Sequence, residues 1–179
     1  MKVKLKSKFI IALVFITAFT FSGFGQMGEA SAAKIKLKGI YMYQFARGVV
    51  WPEEFSKGDL IIGVYGDENV YKQFSNSYTN KLIGSQTIKV KYCSNLSELK
   101  NCHILFISAS KNGAINQINK NVDEQTLMVS ESSNLASSGA IINFIFKDSK
   151  LKYELNKTKA EQHHLKVGQN LTKLAYKII

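Results

Sequence analysis

The sequence predicts a single α/β domain of three layers, with helices on both faces of a mixed, mostly parallel sheet of about six strands and a carboxy-terminal hairpin followed by a helix. Three observations predict it. Short apolar, β-branched runs alternate with amphipathic stretches between Leu60 and Val129, the pattern of parallel strands joined by crossovers. Two strand-like runs then follow each other across Lys147-Asp148-Ser149-Lys150, a connection short enough only for an antiparallel hairpin. No repeat, low-complexity tract or linker interrupts the chain after its amino-terminal segment.

That amino-terminal segment has the marks of export. Lys2, Lys4, Lys6 and Lys8 precede an apolar run from Phe9 to Phe21, and Ala30-Ser31-Ala32 supplies a small-x-small cleavage pattern. The apolar run has 13 residues, whereas a membrane span needs about 20. The expectation is a signal peptide over residues 1–32 and a mature periplasmic domain over 33–179, with no membrane span after cleavage. The whole chain carries 24 Lys and Arg against 13 Asp and Glu, a formal charge of +11. Cleavage leaves 20 against 12. Outside the cytoplasm that basic surplus points away from nucleic acid and towards a solvated basic surface, an acidic protein face or anionic lipid.

The elements follow in order. Leu37, Ile40, Tyr41, Gln44, Phe45 and Gly48 recur at helical spacing, predicting a helix over 34–50 that ends at Trp51-Pro52. Leu60 to Tyr65 is a strand, Gly66-Asp67 a turn, and Glu68 to Tyr78 a helix. Thr87 to Tyr92 alternates apolar and polar residues like a strand near an edge. Ser94 to Lys100 is a short helix with Ser94 as its expected cap. Ile104 to Ile107 is the strongest strand signal; a weaker helix over 112–121 and a strand at Leu127 to Val129 follow. Strands over 140–146 and 151–155 form the hairpin. Asn156 caps a helix towards His164, and Val167, Leu171, Leu174, Ala175 and Ile178 mark a final amphipathic helix.

Catalytic signatures are missing. The sequence has no G-x-S-x-G elbow, HExxH, C-x-x-C or phosphate-binding glycine fingerprint, so neither an enzymatic activity nor a cofactor is expected. Cys93, Cys102, His103, His163 and His164 are the candidates for a soft metal. Zinc needs three or four converging ligands, and this spacing does not supply them, so no metal is expected. An oxidising compartment permits a Cys93–Cys102 disulfide. Parallel strands joined by a crossover would instead hold the two residues roughly 15 Å apart, against the 7 Å or so that a disulfide tolerates. The bond is disfavoured unless residues 94–101 form no true crossover.

Four stretches carry a family resemblance. They are Gly39-Ile40-Tyr41-Met42-Tyr43-Gln44-Phe45-Ala46 with Val50-Trp51-Pro52, Ile61-Ile62-Gly63-Val64-Tyr65-Gly66-Asp67, Cys102-His103-Ile104-Leu105-Phe106-Ile107-Ser108, and Gly139-Ala140-Ile141-Ile142-Asn143-Phe144 with Tyr153-Glu154-Leu155-Asn156. In this order and spacing the chain resembles the YfiR family of exported bacterial proteins, from about Leu37 to Ile179. The resemblance implies a non-enzymatic periplasmic regulator. The family's namesake is a repressor of a membrane diguanylate cyclase, acting on its periplasmic part, and a sensor kinase is the other partner of this kind. The chain departs from the family at Gly48-Val49-Val50, where relatives often carry a charge, and in having only two cysteines.

Two functional expectations follow. A membrane-embedded signalling protein, or a second copy of the chain, would dock on Tyr41, Phe45, Arg47, Val49, Trp51 and Pro52, with Trp51 as a rigid aromatic anchor. Lys34, Lys36, Lys38 and Arg47 would steer an acidic face towards it. Alternatively, a small periplasmic ligand would sit at the carboxyl ends of the parallel strands, against Gly66, Asp67, Ser108 and Ser110.

Overall fold

The computed structural model describes residues 23–132 and 139–179, and side chains from residue 29 onward. The chain divides into two units, Met1–Lys34 and Ile35–Ile179; the α/β fold is the second. Most of the expected signal segment, residues 1–22, lies outside the described residues, and Ala30-Ser31-Ala32 falls within a helix. No helix of the described residues is long and apolar enough to cross a membrane.

That helix, α1 (Gly23–Gly48), ends where Val49 leaves the helical path. A two-residue strand, β1 (Val49–Val50), and a 3-10 turn (Glu53–Ser56) lead into β2 (Leu60–Tyr65). Helix α2 (Glu68–Tyr78) starts at Asp67, whose carboxylate accepts the backbone N–H groups of Asn69 and Val70 at 2.9 and 3.1 Å, the ordinary work of an acidic cap. Strands β3 (Leu82–Ile83) and β4 (Gln86–Cys93) come next. The segment expected as a helix over 94–100 is a single 3-10 turn (Leu96–Leu99). Its cap is Asn95 rather than Ser94, and Ser94 is held instead by the Glu98 carboxylate. Strand β5 (Ile104–Ile107) is followed by a 3-10 segment (Ala109–Ala114), helix α3 (Ile115–Asn121) and β6 (Leu127–Glu131).

Strands β7 (Ile142–Lys147) and β8 (Lys150–Leu155) form the expected hairpin. Its turn residues Asp148 and Ser149 have φ values of 52° and 57°. Two consecutive left-handed residues match the right-handed twist of the flanking strands. Asn156 caps helix α4 (Lys157–Gln162) as the sequence predicts, accepting Lys159 N–H at 2.8 Å.

The last expected helix is corrected. Residues 166–178 split into β9 (Lys166–Val167), α5 (Gln169–Leu174) and β10 (Lys177–Ile178). The cause is tertiary: Gly168 N–H donates to Gly48 O at 2.8 Å, and β9 pairs antiparallel with β1. Beyond α5, Tyr176 N–H and Ile179 N–H donate to Tyr153 O and Leu155 O. Competing backbone partners on β8 thus outbid helical propensity at the carboxy terminus.

Among the described residues the main sheet has eight strands in the order β10-β8-β7-β6-β5-β2-β4-β3, beyond the six or so expected because β3 and β10 extend both edges. Strands β4, β2, β5, β6 and β7 are parallel. Each face covers its own core. Leu60, Ile62, Val64, Phe106 and Val129 meet α1 and α2 on one side; Tyr65, Leu105, Ile107 and Met128 meet α3 and the 3-10 turn at Leu99 on the other. The predicted three-layer, mostly parallel α/β architecture is the one observed.

Replacing Asn156 by Ala removes the α4 cap and should lower stability by about 1 kcal/mol. A thermal or urea melt of N156A beside the parent protein measures it; an unchanged midpoint contradicts the capping role.

Candidate functional site

The amino-terminal corner does not present its aromatics to solvent. Phe45 is 0% exposed, Val49 5% and Trp51 7%. The Trp51 indole donates to Gln125 O at 3.1 Å and meets the His103 ring edge-on at 5.8 Å. Tyr41 is half-buried, and its hydroxyl donates to Leu151 O at 3.2 Å. The expectation of Trp51 as a surface anchor is therefore corrected: a large apolar ring at the end of α1 gains more from burial against the sheet. Pro52 is half-buried and Arg47 exposed. Lys38 is also displaced from the steering set, since it is buried, lies over the Phe106 ring and pairs with Glu131. From Lys36 onward α1 exposes Lys36 itself and a stripe at helical spacing, Leu37, Ile40, Gln44 and Arg47.

The ligand-pocket candidates do come together. The strand order β4-β2-β5 makes a topological switch point between β2 and β5, where open α/β sheets offer a crevice. Gly66, at φ +91°, and Ser108 follow those two strands. Ser108 and Ser110 hydroxyls bond to each other at 2.8 Å, and Ser110 donates to Gly66 O at 3.2 Å. Asp67 is engaged as the α2 cap. Lys111 fills the crevice: its Cγ lies 2.4 Å from where a Gly66 side chain would begin, and its ammonium sits 5.1 Å from the Tyr65 ring centre. Gly66, Ser108 and Ser110 bond to one another in one turn cluster, and Asp67 is turned to the α2 cap beside them.

The cysteines are closer than the sequence pattern implies. Residues 94–101 make no crossover helix, and β2 lies between β4 and β5. Gly63, in the middle of β2, has no side chain, and both sulfurs occupy the space over it. A Cβ built there falls 2.7 Å from Cys102 Sγ and 3.3 Å from Cys93 Sγ. The separation of roughly 15 Å drawn from strand spacing is thus corrected. Both residues are free thiols and buried. A hydrogen bond from Cys102 holds the Cys93 thiol below its usual range, while the same bond and burial push Cys102 up. His103 does not join them, because both of its ring nitrogens are bonded elsewhere. Among the described residues no group of three His, Cys, Asp or Glu is placed to hold a metal.

A buried polar network is centred on Asn143, inside the fourth stretch that the sequence singles out. Asn143, 0% exposed, accepts from Ser130 Oγ and Ser132 N–H, both at 2.9 Å, and donates to Ser132 O and to Glu154 at 3.1 Å. One amide so joins β6, β7 and β8. The signal for it was a lone Asn inside the apolar run Ile141 to Phe144, since a buried amide must be satisfied. Above the carboxyl ends of β6 and β7 lies a groove of about 630 Å³, lined by Glu131, Phe144, Phe146, Lys147, Glu154 and Tyr176. Of the sequence-predicted pocket residues, none lines it.

Adding a methyl group at Gly63 forces the two sulfurs apart. G63A should cost about 1–3 kcal/mol, as overpacking of a core site does. Chemical denaturation measures the loss; full stability would show that the space over Gly63 is not filled by the thiols.

A search of curated proteins finds nothing similar. A family profile, described as YfiR/HmsC-like, matches residues 35–176. That span runs from α1 to the start of β10 and so takes in nearly all of the α/β unit. The chain belongs to the YfiR/HmsC-like family.

Proposed function

We propose that the domain is a non-enzymatic periplasmic regulator that binds the periplasmic part of a membrane signalling protein, a diguanylate cyclase or a sensor kinase, and represses it. The observation that carries this reading is the family match over 35–176, which supports a periplasmic regulator of diguanylate cyclase in general terms. The site chemistry is in keeping with it. The hydroxyls, thiols and imidazoles singled out above bond within the fold, which suits a binding module.

The contact surface proposed is the outward stripe of α1. Leu37 and Ile40 are 38% and 45% exposed, a modest apolar seam with Arg47 at its end. Apolar anchors flanked by a cation suit an acidic-rimmed protein face. A second copy of the chain is the other occupant of this stripe.

A second reading, a small-ligand protein, rests on the groove of about 630 Å³ at the carboxyl ends of β6 and β7, a volume in the usual range for ligand sites. A neighbouring gene encoding a membrane protein with a cyclase or kinase domain would favour the first reading.

The test is a pull-down from solubilised membranes with the parent protein and I40E, paired with sedimentation. On this reading I40E keeps its melting midpoint but retains at least about tenfold less membrane partner, as loss of an interface anchor implies. Equal capture by both proteins moves the contact away from α1. Concentration-dependent self-association abolished by I40E assigns the stripe to a second copy.

A further inference from the structure

His103 occupies an unusual place at the amino end of the sheet. Asn101, at φ 58°, turns the chain away from β2, and its N–H goes to the Asp123 carboxylate. The regular parallel ladder therefore stops one step short. His103 completes it twice over: its backbone N–H donates to Ile61 O at 2.9 Å, and its ring Nδ1 accepts Ile61 N–H at 3.0 Å. The opposite ring nitrogen, Nε2, lies 2.6 Å from Phe55 O in the 3-10 turn. A carbonyl only accepts, so Nε2 carries the proton and Nδ1 is bare. The rings of Trp51 and Phe55 stand edge-on to the imidazole at 5.8 and 5.6 Å. One neutral tautomer thereby holds residues 51–59 against the foot of β2.

We propose that His103 is an acid-sensitive latch, whose protonation at Nδ1 releases the Trp51–Asp59 segment from β2. A proton on Nδ1 points at the Ile61 N–H, so two donors face each other and the hydrogen bond is lost. The resulting cation is also buried among aromatic rings, where an unpaired charge is costly. A cavity of about 350 Å³, lined by Glu54, Phe55, Lys57, Asp59, Asn101 and His103, gives solvent a route to the ring. The charged groups that line this cavity are Glu54, Lys57 and Asp59, and Asp123 from the loop before β6 is held on the Asn101 N–H, two residues before His103. The imidazole bonds to Ile61 and Phe55 rather than to any of these carboxylates. Burial accordingly lowers the His103 pKa below its ordinary 6.5, against a smaller raising effect of the Phe55 carbonyl.

The sign follows from linkage. The folded state favours neutral His103, so its contribution is complete above the unfolded value of 6.5 and is lost as the pH falls from there through the lower folded value. The chain has a single tryptophan, and it touches this ring, so Trp51 emission reports the latch directly. His163, also lowered chiefly by burial and bonded to Glu124 O, is the competing acid-sensitive group.

The experiment is a pH titration of the full folded domain followed by Trp51 emission and by NMR of the Ile61 amide and the histidine rings. The expected result is a reversible Trp51 transition with its midpoint below pH 6.5, accompanied by a shift of the Ile61 amide at the same midpoint. The transition should persist in His163→Gln and vanish in His103→Gln. A transition that survives in His103→Gln, or that vanishes in His163→Gln, overturns the proposal. Should His103→Gln fail to fold, the parent protein decides: a His103 ring that titrates with Ile61 supports the latch. A ring that titrates at or above 6.5, or without movement of Ile61, overturns it.

Discussion

Four aromatic rings clamp together parts of the chain that lie far apart in sequence. Phe45 and Tyr41 of α1 meet Tyr153 at 5.1 and 5.6 Å and Phe144 at 5.8 and 5.7 Å. Offset and edge-on contacts of this kind add to the burial of large apolar surfaces. Two hydroxyls lock the cluster. Tyr41 donates to Leu151 O in β8, and Tyr153 donates to Leu171 O in α5. The first helix, the hairpin and the last helix are thus one packing unit, and Gly48 admits Leu171 because it has no side chain to obstruct it. Once α1 is seated, the β1–β9 ribbon closes over its end.

At the centre of the sheet the controlling feature is an empty position. Gly63 leaves room on one face of β2, and two sulfurs fill that room, one from the end of β4 and one from the segment before β5. At the carboxyl end of the same strand Gly66 leaves room for Lys111, which closes the crevice that a doubly wound sheet would otherwise offer. Both spaces are absorbed into packing. A protein with its strand-end groups satisfied in this way is suited to recognition through its outer surface, which is why α1 carries the functional proposal.

Much of this was legible in the residues. The apolar runs at Leu60–Tyr65 and Ile104–Ile107 became central parallel strands because a strand covered on both faces needs apolar side chains at every position. Asn156 capped its helix because its neighbours left a local N–H to satisfy. The short connection over residues 147–150 made the hairpin readable, and its observed register places Asn143 opposite Glu154 in the polar network.

The sequence by itself determined the alternation of strands and helices, the hairpin and the family, since each depends on periodicity or on residues adjacent in the chain. Only the tertiary structure decided that Trp51 faces inward, that Cys93 and Cys102 share the space over Gly63, and that the carboxy terminus is strand rather than continuous helix. Each of these depends on a partner distant in sequence: Gln125 for Trp51, Gly63 for the thiols, and Tyr153 and Leu155 for the last residues. Local periodicity carries no information about which distant backbone or cavity will compete for a side chain, and that competition is settled by close packing and by the need to satisfy buried polar groups.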